Sequence, residues 1–326
     1  MKKMKILIAY DGSSHADAAL DDLHRAGLPQ EAEALILSVA DVWTWPSPKQ
    51  DAREARAQEL DIISLNKVRA QSEQAVEGAR KLAVQAGERI KTAFPSWTVN
   101  AEGCGDSPAW ALIKKADEWE ADLVVVGSQG RSALSRSMLG SVSQKVLYEA
   151  RCSVRVGRAR PRGDDSPLRI IIGVDGSPGA EAAVNAVAER NWPIGTEARV
   201  ISAHSPQTLL AIAHFIQPVL VAAREHSDDR SAMAQTIADL SAEKLRAAGI
   251  AASAIAREGD PRLVLLDEAE QWQADCIFVG ARGLRRIKRF LLGSVSGGVA
   301  AQANCSIEVV RTPEALSANT GNESDK

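Results

Sequence analysis

Cysteine is scarce and scattered in this chain: Cys104, Cys152, Cys276 and Cys305 are the four in 326 residues, and no two form a Cys-x-x-Cys pair. Zinc and thioredoxin-like readings therefore lack support, and the four read as small buried side chains in a reducing cytoplasm. The five histidines, His15, His24, His204, His214 and His226, share no metal-ligand spacing, and only His204 falls near a strand end that could line a pocket. No apolar stretch approaches the roughly 20 residues of a spanning helix. The basic start Met1-Lys2-Lys3-Met4-Lys5 leads into only about five apolar residues before Asp11, short of the roughly 7–15 that a secretory signal needs. It reads as the first strand instead. Several catalytic loops are also missing: there is no GxxxxGK[ST], no GxGxxG after either first strand, no Ser-Gly-Gly-x-Asp-Ser loop and no GxSxG elbow. With 39 basic and 42 acidic side chains the net charge is −3, which gives no reason to expect nucleic acid or an anionic membrane as partner.

What the chain does have is one glycine pattern written twice: Gly127, Gly130, Gly140-Ser141, then Gly280, Gly283, Gly293-Ser294. In each copy two residues separate the first glycines and nine separate the second from Gly-Ser, and an apolar run ending in Val precedes the pattern. That is a strand, a glycine loop and a helix start. Glycines let backbone N–H groups come close to a polyanion, and a helix start adds unpaired N–H groups and the positive end of its dipole. The chemistry indicated is phosphate holding; the bland alternative is a tight strand-to-helix connection.

The repeat is wider than this loop. Asp11-Gly12-Ser13 recurs as Asp175-Gly176-Ser177, Trp119-Glu120-Ala121-Asp122 as Trp272-Gln273-Ala274-Asp275, and Cys152-Ser153-Val154 as Cys305-Ser306-Ile307. Asp11 and Asp175 stand 164 apart but Gly127 and Gly280 only 153, so the first repeat carries eleven extra residues, which we place around 43–75. Length and 45% hydrophobic content allow two cores of ordinary domain size. The boundaries expected are a first domain 1–157, a polar linker 158–167, a second domain 168–312 and a disordered tail 313–326.

Each unit reads as alternating strands and helices. Ser13 or Ser14 caps a helix with Ala16, Ala19, Leu20 and Leu23 inside, ended by Gly27; in the second copy Ser177 caps and Pro178 opens the helix. Strand two spans 35–39 and 200–203, long helices fall near 51–92 and 228–248, and third strands lie near 99–102 and 251–257. Short helices, the glycine-loop strands and last strands complete the units. Near-continuous apolar strands alternating with helices give α/β units with a parallel sheet covered on both faces. Such sheets bind ligands outside the carboxyl ends of their strands, at the switch point, where Asp11 can meet Gly127 and Asp175 can meet Gly280.

Over residues 4–312 the chain resembles the universal stress proteins in their tandem form. The stretch Val126-Gly127-Ser128-Gln129-Gly130-Arg131-Ser132, continued by Leu139-Gly140-Ser141-Val142-Ser143, is very similar to that family's ATP-binding signature. The resemblance implies two tandem, doubly wound, parallel five-stranded sheets of the adenine nucleotide alpha-hydrolase-like, Rossmann-like class. It also implies that they pack as an internal pseudo-dimer through their last strands, near 154–156 and 307–310. For nucleotide binding it implies Asp11, Val39, Gly127, Gly130, Gly140 and Ser141 in a first site, and Asp175, Ala203, Gly280, Gly283, Gly293 and Ser294 in a second. Cys-Ser-Val and Cys-Ser-Ile stand where the family usually has Cys-Pro-Val, a departure in the turn into the last strand. The Gly297-Gly298 pair lies in the first turns of a helix, where each glycine costs about 0.5–1 kcal/mol relative to Ala, and this suggests a looser second site.

The second loop carries Arg282, Arg285, Arg286, Lys288 and Arg289 against Arg131 and Arg136 in the first. These cations either cover phosphates, contact an acidic partner or form a solvated face; Arg131 and Arg282, beside motif glycines, are the phosphate-side candidates. Trp119 and Trp272 read as core packing, and Trp43 and Trp45 as a lid, an interface or an anchored loop. The expected protein is an ATP-binding regulatory switch or scaffold of the stress response, with Mg²⁺ bridging phosphates and a protein partner as yet unidentified. ATP would order the Gly130 to Gly140 and Gly283 to Gly293 loops. Two alternatives stay open: a slow ATPase or self-phosphorylating enzyme, and a scaffold whose nucleotide sites are vestigial. Further homodimerisation is open as well.

Overall fold

The computed structural model describes residues 3–42, 58–130, 139–160, 166–204, 227–283 and 292–312, with backbone alone for 58–67 and 227–230. The first half runs β1 (Met4–Ala9), α1 (Ser14–Asp22), β2 (Ala32–Ala40), α2 (Gln58–Ala93), β3 (Thr98–Gly105), α3 (Pro108–Glu118), β4 (Leu123–Gly127), α4 (Ser141–Glu149) and β5 (Ser153–Gly157). The second repeats the order with β6 (Arg169–Val174), α5 (Pro178–Ala188), β7 (Glu197–His204), α6 (Ser227–Ala247), β8 (Ala251–Glu258), α7 (Pro261–Gln271), β9 (Cys276–Gly280), α8 (Ser294–Gln302) and β10 (Ser306–Val310). Local chemistry sets the helix starts. The Ser13 and Ser177 hydroxyls accept from the N–H groups of Ala16 and Ala180, and Pro178 sits in the first turn of α5, where its missing N–H costs nothing.

All ten strands form one sheet in the order β3-β2-β1-β4-β5-β10-β9-β6-β7-β8. Within each half every pairing is parallel; the join between β5 and β10 is antiparallel, with Arg155 opposite Glu308 between the pairs Val154–Val309 and Val156–Ile307. This is the internal pseudo-dimer expected through the last strands. One apolar cluster runs through the join, holding Val124, Val154 and Val156 with Ile277, Ile307 and Val309; the opposite face keeps a separate cluster in each half. Two arginines cross the join reciprocally. Arg158 donates to the carbonyls of Cys305 and Ala300 at the end of α8, and Arg311 to those of Cys152 and Leu147 at the end of α4, cations placed where helix ends leave carbonyls unpaired.

The repeat also shows where the halves differ. Ala83 and Ala238, buried at matching places in α2 and α6, stand 155 apart, whereas Val99 and Ala252 in the third strands stand 153 apart. Nine of the eleven extra residues therefore precede Ala83, where they were expected. Of the other two, one lengthens the end of α2 and one lies in the turn 94–97, in which Phe94 stacks on Trp97 at 4.1 Å and the Trp97 indole donates to the Pro29 carbonyl. The Gly297-Gly298 pair also has a packing reason: a Cβ on Gly297 would lie 2.8 Å from the Tyr148 hydroxyl of the other half, and one on Gly298 2.5 Å from Arg262 Cδ. The glycines admit neighbours from α4 and α7.

Candidate functional site

In each half the chain leaves the first strand toward one side of the sheet and later returns to its other side: β1 lies between β2 and β4, and β6 between β7 and β9. The crevice at that switch point is where the repeated motifs converge. Asp11 follows β1, and its Oδ1 accepts the Ser13 N–H at 2.9 Å, which fixes the turn into α1. Its other oxygen faces the glycine loop, since a Cβ on Gly130 would stand 3.1 Å from Asp11 Oδ2. Gly127 ends β4 hard against α1; a Cβ there would fall 2.7 Å from the His15 carbonyl oxygen.

The return of the loop is pinned by backbone. Gly140 donates to the Ser128 carbonyl at 2.8 Å, and the Ser143 hydroxyl donates to the Gly127 carbonyl at 2.6 Å. As the N-cap of α4, Gly140 offers no side-chain acceptor, so nothing of its own satisfies the N–H groups in that helix's first turn. They open on a cleft of about 850 Å³ whose lining includes Asp11, Val39, Gly127, Gly130, Gly140 and Ser141. All the first-site candidates except Arg131, which lies outside the described residues, are thus gathered around one cavity. Residues of α2 line it as well, namely Ala75, Gly78, Ala79 and Leu82.

The second half repeats the geometry bond for bond. Asp175 Oδ1 accepts the Ser177 N–H at 3.0 Å, Gly293 donates to the Ala281 carbonyl at 2.9 Å, and the Ser296 hydroxyl donates to the Gly280 carbonyl at 2.6 Å. A Cβ on Gly283 would meet Asp175 Oδ2 at 2.5 Å, and one on Gly280 would meet the Gly179 carbonyl carbon at 2.3 Å. Ala203 lies near the end of β7, and Ser294 opens α8 behind its glycine cap. Arg282 stands between Gly280 and Gly283, its carbonyl 3.4 Å from the Ser177 hydroxyl.

Sequence reasoning missed Ser143 and Ser296, which tie the loop helices to the strand ends. Their signal was present, because Gly-Ser-Val-Ser recurs in both copies. It also missed Gln129 and Ala40, which line the first cleft. A second groove, of about 980 Å³, lies beside α1 with Asp17, Asp21 and Arg160 in its lining, but none of the motif residues.

The sulfur chemistry is quiet. Burial pushes the thiols of Cys152 and Cys305 up to about 12, and that of Cys276 still further, so these thiols stay protonated. Trp272 is buried and Trp119 packs against the same cluster, as core residues should. Among the described residues no group of three or more His, Cys, Asp or Glu could hold a metal ion, and no helix is long and apolar enough to cross a membrane. Trp43, Trp45, Arg136, Arg285, Arg286, Lys288, Arg289, the loop segments 131–138 and 284–291 that nucleotide was expected to order, and the tail 313–326 lie outside the described residues.

The model of the universal stress protein family matches residues 3–158 and again 168–311. A universal stress protein of Mycolicibacterium smegmatis is 28% identical over 311 residues, covering 94% of this chain and 96% of its own length. The Bacillus subtilis universal stress protein YxiE is 32% identical over 155 residues, which is 47% of this chain and 98% of that protein. Among solved structures, a universal stress protein from Archaeoglobus fulgidus covers 95% of this chain and 99% of its own, with 19% identity and a TM-score of 0.57, a likeness of fold.

Proposed function

This chain belongs to the universal stress protein family, and from that premise we propose that it is an adenine-nucleotide-binding regulatory protein with one cleft in each half. The observation that carries the reading is the convergence in the first half of a carboxylate, a glycine loop and an uncapped helix start around one cavity. The missing Cβ at Gly140 leaves space that backbone borders, and the one at Gly130 leaves space beside the Asp11 carboxylate, so a polyphosphate could approach the N–H groups of the loop and of α4. The apolar wall that Ala75, Gly78, Ala79 and Leu82 of α2 form suits the flat face of a base, with Asp11 and Val39 toward base and ribose. Gly280, Gly283, Gly293 and Ser294 would hold phosphate in the second half, with Asp175 and Ala203 in the places of Asp11 and Val39.

ATP fits this division into an apolar slot and an anion cradle. A divalent cation such as Mg²⁺ would be held through phosphates and water rather than by a protein cage. We take residues 1–157 and 168–312 as the two domains, and the effect of binding as a change in a surface that a protein partner reads.

The test is the nucleotide content of the purified protein, measured by denaturing it and separating the released small molecules, followed by ATP titration calorimetry on the stripped chain. About two ATP per chain is the expected result. One per chain would limit the reading to a single half. No nucleotide and no heat would overturn it in favour of a scaffold, and multiple-turnover release of ADP would move the protein into the enzymatic class.

A further inference from the structure

The first cleft has a fixture that the second half does not repeat. Tyr10, between β1 and Asp11, lines that cleft and packs against the apolar cluster shared by α1 and α2. Its hydroxyl donates to Asp17 Oδ1 at 2.9 Å, and the same oxygen accepts from Nη1 of Arg89 in α2. Arg89 forks to a second carboxylate one turn further along α1, with Nη2 3.1 Å from Asp21 Oδ1. The exit of β1, α1 and α2 thus meet at one carboxylate. Leu82 and Ala75, which line the cleft, precede Arg89 by seven and fourteen residues, so all three share one stripe of α2. Buried Ala79, Ala83 and Ile90 of α2 match buried Ala234, Ala238 and Leu245 of α6, each pair 155 apart, while the first strands and helices match at 164. At those offsets Val174 stands for Tyr10, Glu181 for Asp17, Asn185 for Asp21 and Lys244 for Arg89. Val174 has no hydroxyl, and Lys244 meets Glu181 at 3.8 Å through a single ammonium. There α5 and α6 pack against each other more closely than α1 and α2 do, so the second half holds its long helix by direct packing.

We propose that Tyr10 is a positioning residue of the first site: with Asp17 and Arg89 it fixes α2 relative to the end of β1, and so sets the width of the slot that takes the base. The inference rests on the nucleotide reading above. A phenol donating to a carboxylate makes one of the stronger kinds of hydrogen bond, and the planar fork of Arg89 fixes direction as well as distance between the two helices. Removing the hydroxyl leaves α2 tied to α1 but no longer to the exit of β1. Part of the binding free energy must then go into ordering the wall, which weakens binding without touching any group that holds the phosphates. The second site has no such fixture and is indifferent to the change.

Hydrogen exchange of the stripped full-length chain, followed by mass spectrometry along an ATP titration, reads the two sites separately, because the amides that open α4 and α8 belong to different halves. ATP should slow exchange at both, and the midpoint of each curve gives the affinity of that half. Tyr10→Phe, which keeps the ring, should raise the α4 midpoint about three- to tenfold, the scale of one hydrogen bond, and leave the α8 midpoint within about twofold. Arg89→Ala should act in the same way, and Arg89→Lys, which keeps the charge, should recover part of the loss. An α4 midpoint unchanged in both Tyr10→Phe and Arg89→Ala refutes the positioning role while nucleotide binding stands. Equal shifts at α4 and α8 refute it too, because a general loss of stability acts on both halves. If ATP does not slow exchange at α4 in the parent chain, the nucleotide reading fails for the first half and takes this inference with it.

Discussion

Asp11 and Asp175 each serve two neighbours with one carboxylate, and the two uses can be separated. One oxygen accepts the N–H of the serine two residues on, at 2.9 and 3.0 Å, while the other lies beside the glycine loop. An Asn side chain keeps the accepting oxygen and loses the charge. Asp11→Asn should therefore leave the urea midpoint nearly unchanged but alter nucleotide affinity. Asp11→Ala should also lower stability, by about 1 kcal/mol for the lost bond. Equal losses of stability in the two variants would mean that the charge itself holds the turn. Gly280→Ala would press a Cβ to 2.3 Å from backbone, and a stability loss of about 1–3 kcal/mol is expected by thermal melting. The aspartates and glycines were legible because they repeat, but their partners were not. The Trp-x-Ala-Asp anchor shows the difference. Its second residue turns left-handed, with φ of 52° at both Glu120 and Gln273, and its Asp accepts the N–H that opens β1 or β6, at 2.8 Å in each half. Repetition marked the motif without saying that it tied the end of one helix to the start of a distant strand.

At the scale of elements, the inner strands were readable because their residues are apolar on both faces, and the short helices because caps and prolines mark their starts. The reasons for certain positions lay in the opposite half and could not be read locally: Gly297 makes way for Tyr148, and Arg158 and Arg311 each reach a helix end across the join. Those two arginines are related by the repeat, and even their backbone N–H groups match, donating to Ser306 and Ser153 hydroxyls at 3.0 and 3.1 Å. Each side chain donates to two carbonyls beside a helix end. Arg158→Ala and Arg311→Ala should each cost about 1.5–3 kcal/mol, the range for hydrogen bonds to a charged group. Urea denaturation of both variants checks this. Nearly equal losses are expected, and a loss confined to one variant would show that only one crossing bears on the join.

For the whole molecule, the join is polarised by a buried line of alternating charge: Asp22, Arg155, Glu308 and Arg190. Arg155 Nε donates to Asp22 at 2.6 Å and its Nη1 to Glu308 at 3.2 Å, while Arg190 pairs with both oxygens of Glu308. Arg155, Glu308 and Asp22 are at most 2% exposed. Arg155 and Glu308 occupy the same place in the two repeats and face each other in the sheet, so the pseudo-symmetry is broken by charge at its own axis. Neither residue signalled this in the sequence, because a charged residue within a short apolar strand has meaning only once its partner is known. Arg155→Ala would leave the buried Asp22 carboxylate without its cation while Glu308 keeps Arg190, and should cost about 3–5 kcal/mol. The line also has a pH signature. Burial alone would raise the Glu308 carboxyl, but the charge and hydrogen bonds of Arg190, with those of Arg155, more than offset it and hold the carboxyl below its ordinary 4.5. A carboxyl depressed by folding contributes stability that is fully present above its unfolded value and is lost as pH falls through the folded one. Glu308→Gln removes that titration. The difference in urea midpoint between the parent chain and Glu308→Gln should be largest near neutrality and shrink as pH drops below about 4.5, the ordinary value for a glutamate. A difference that stays constant down to acid unfolding would mean that the pair holds the join through packing and not through its charge.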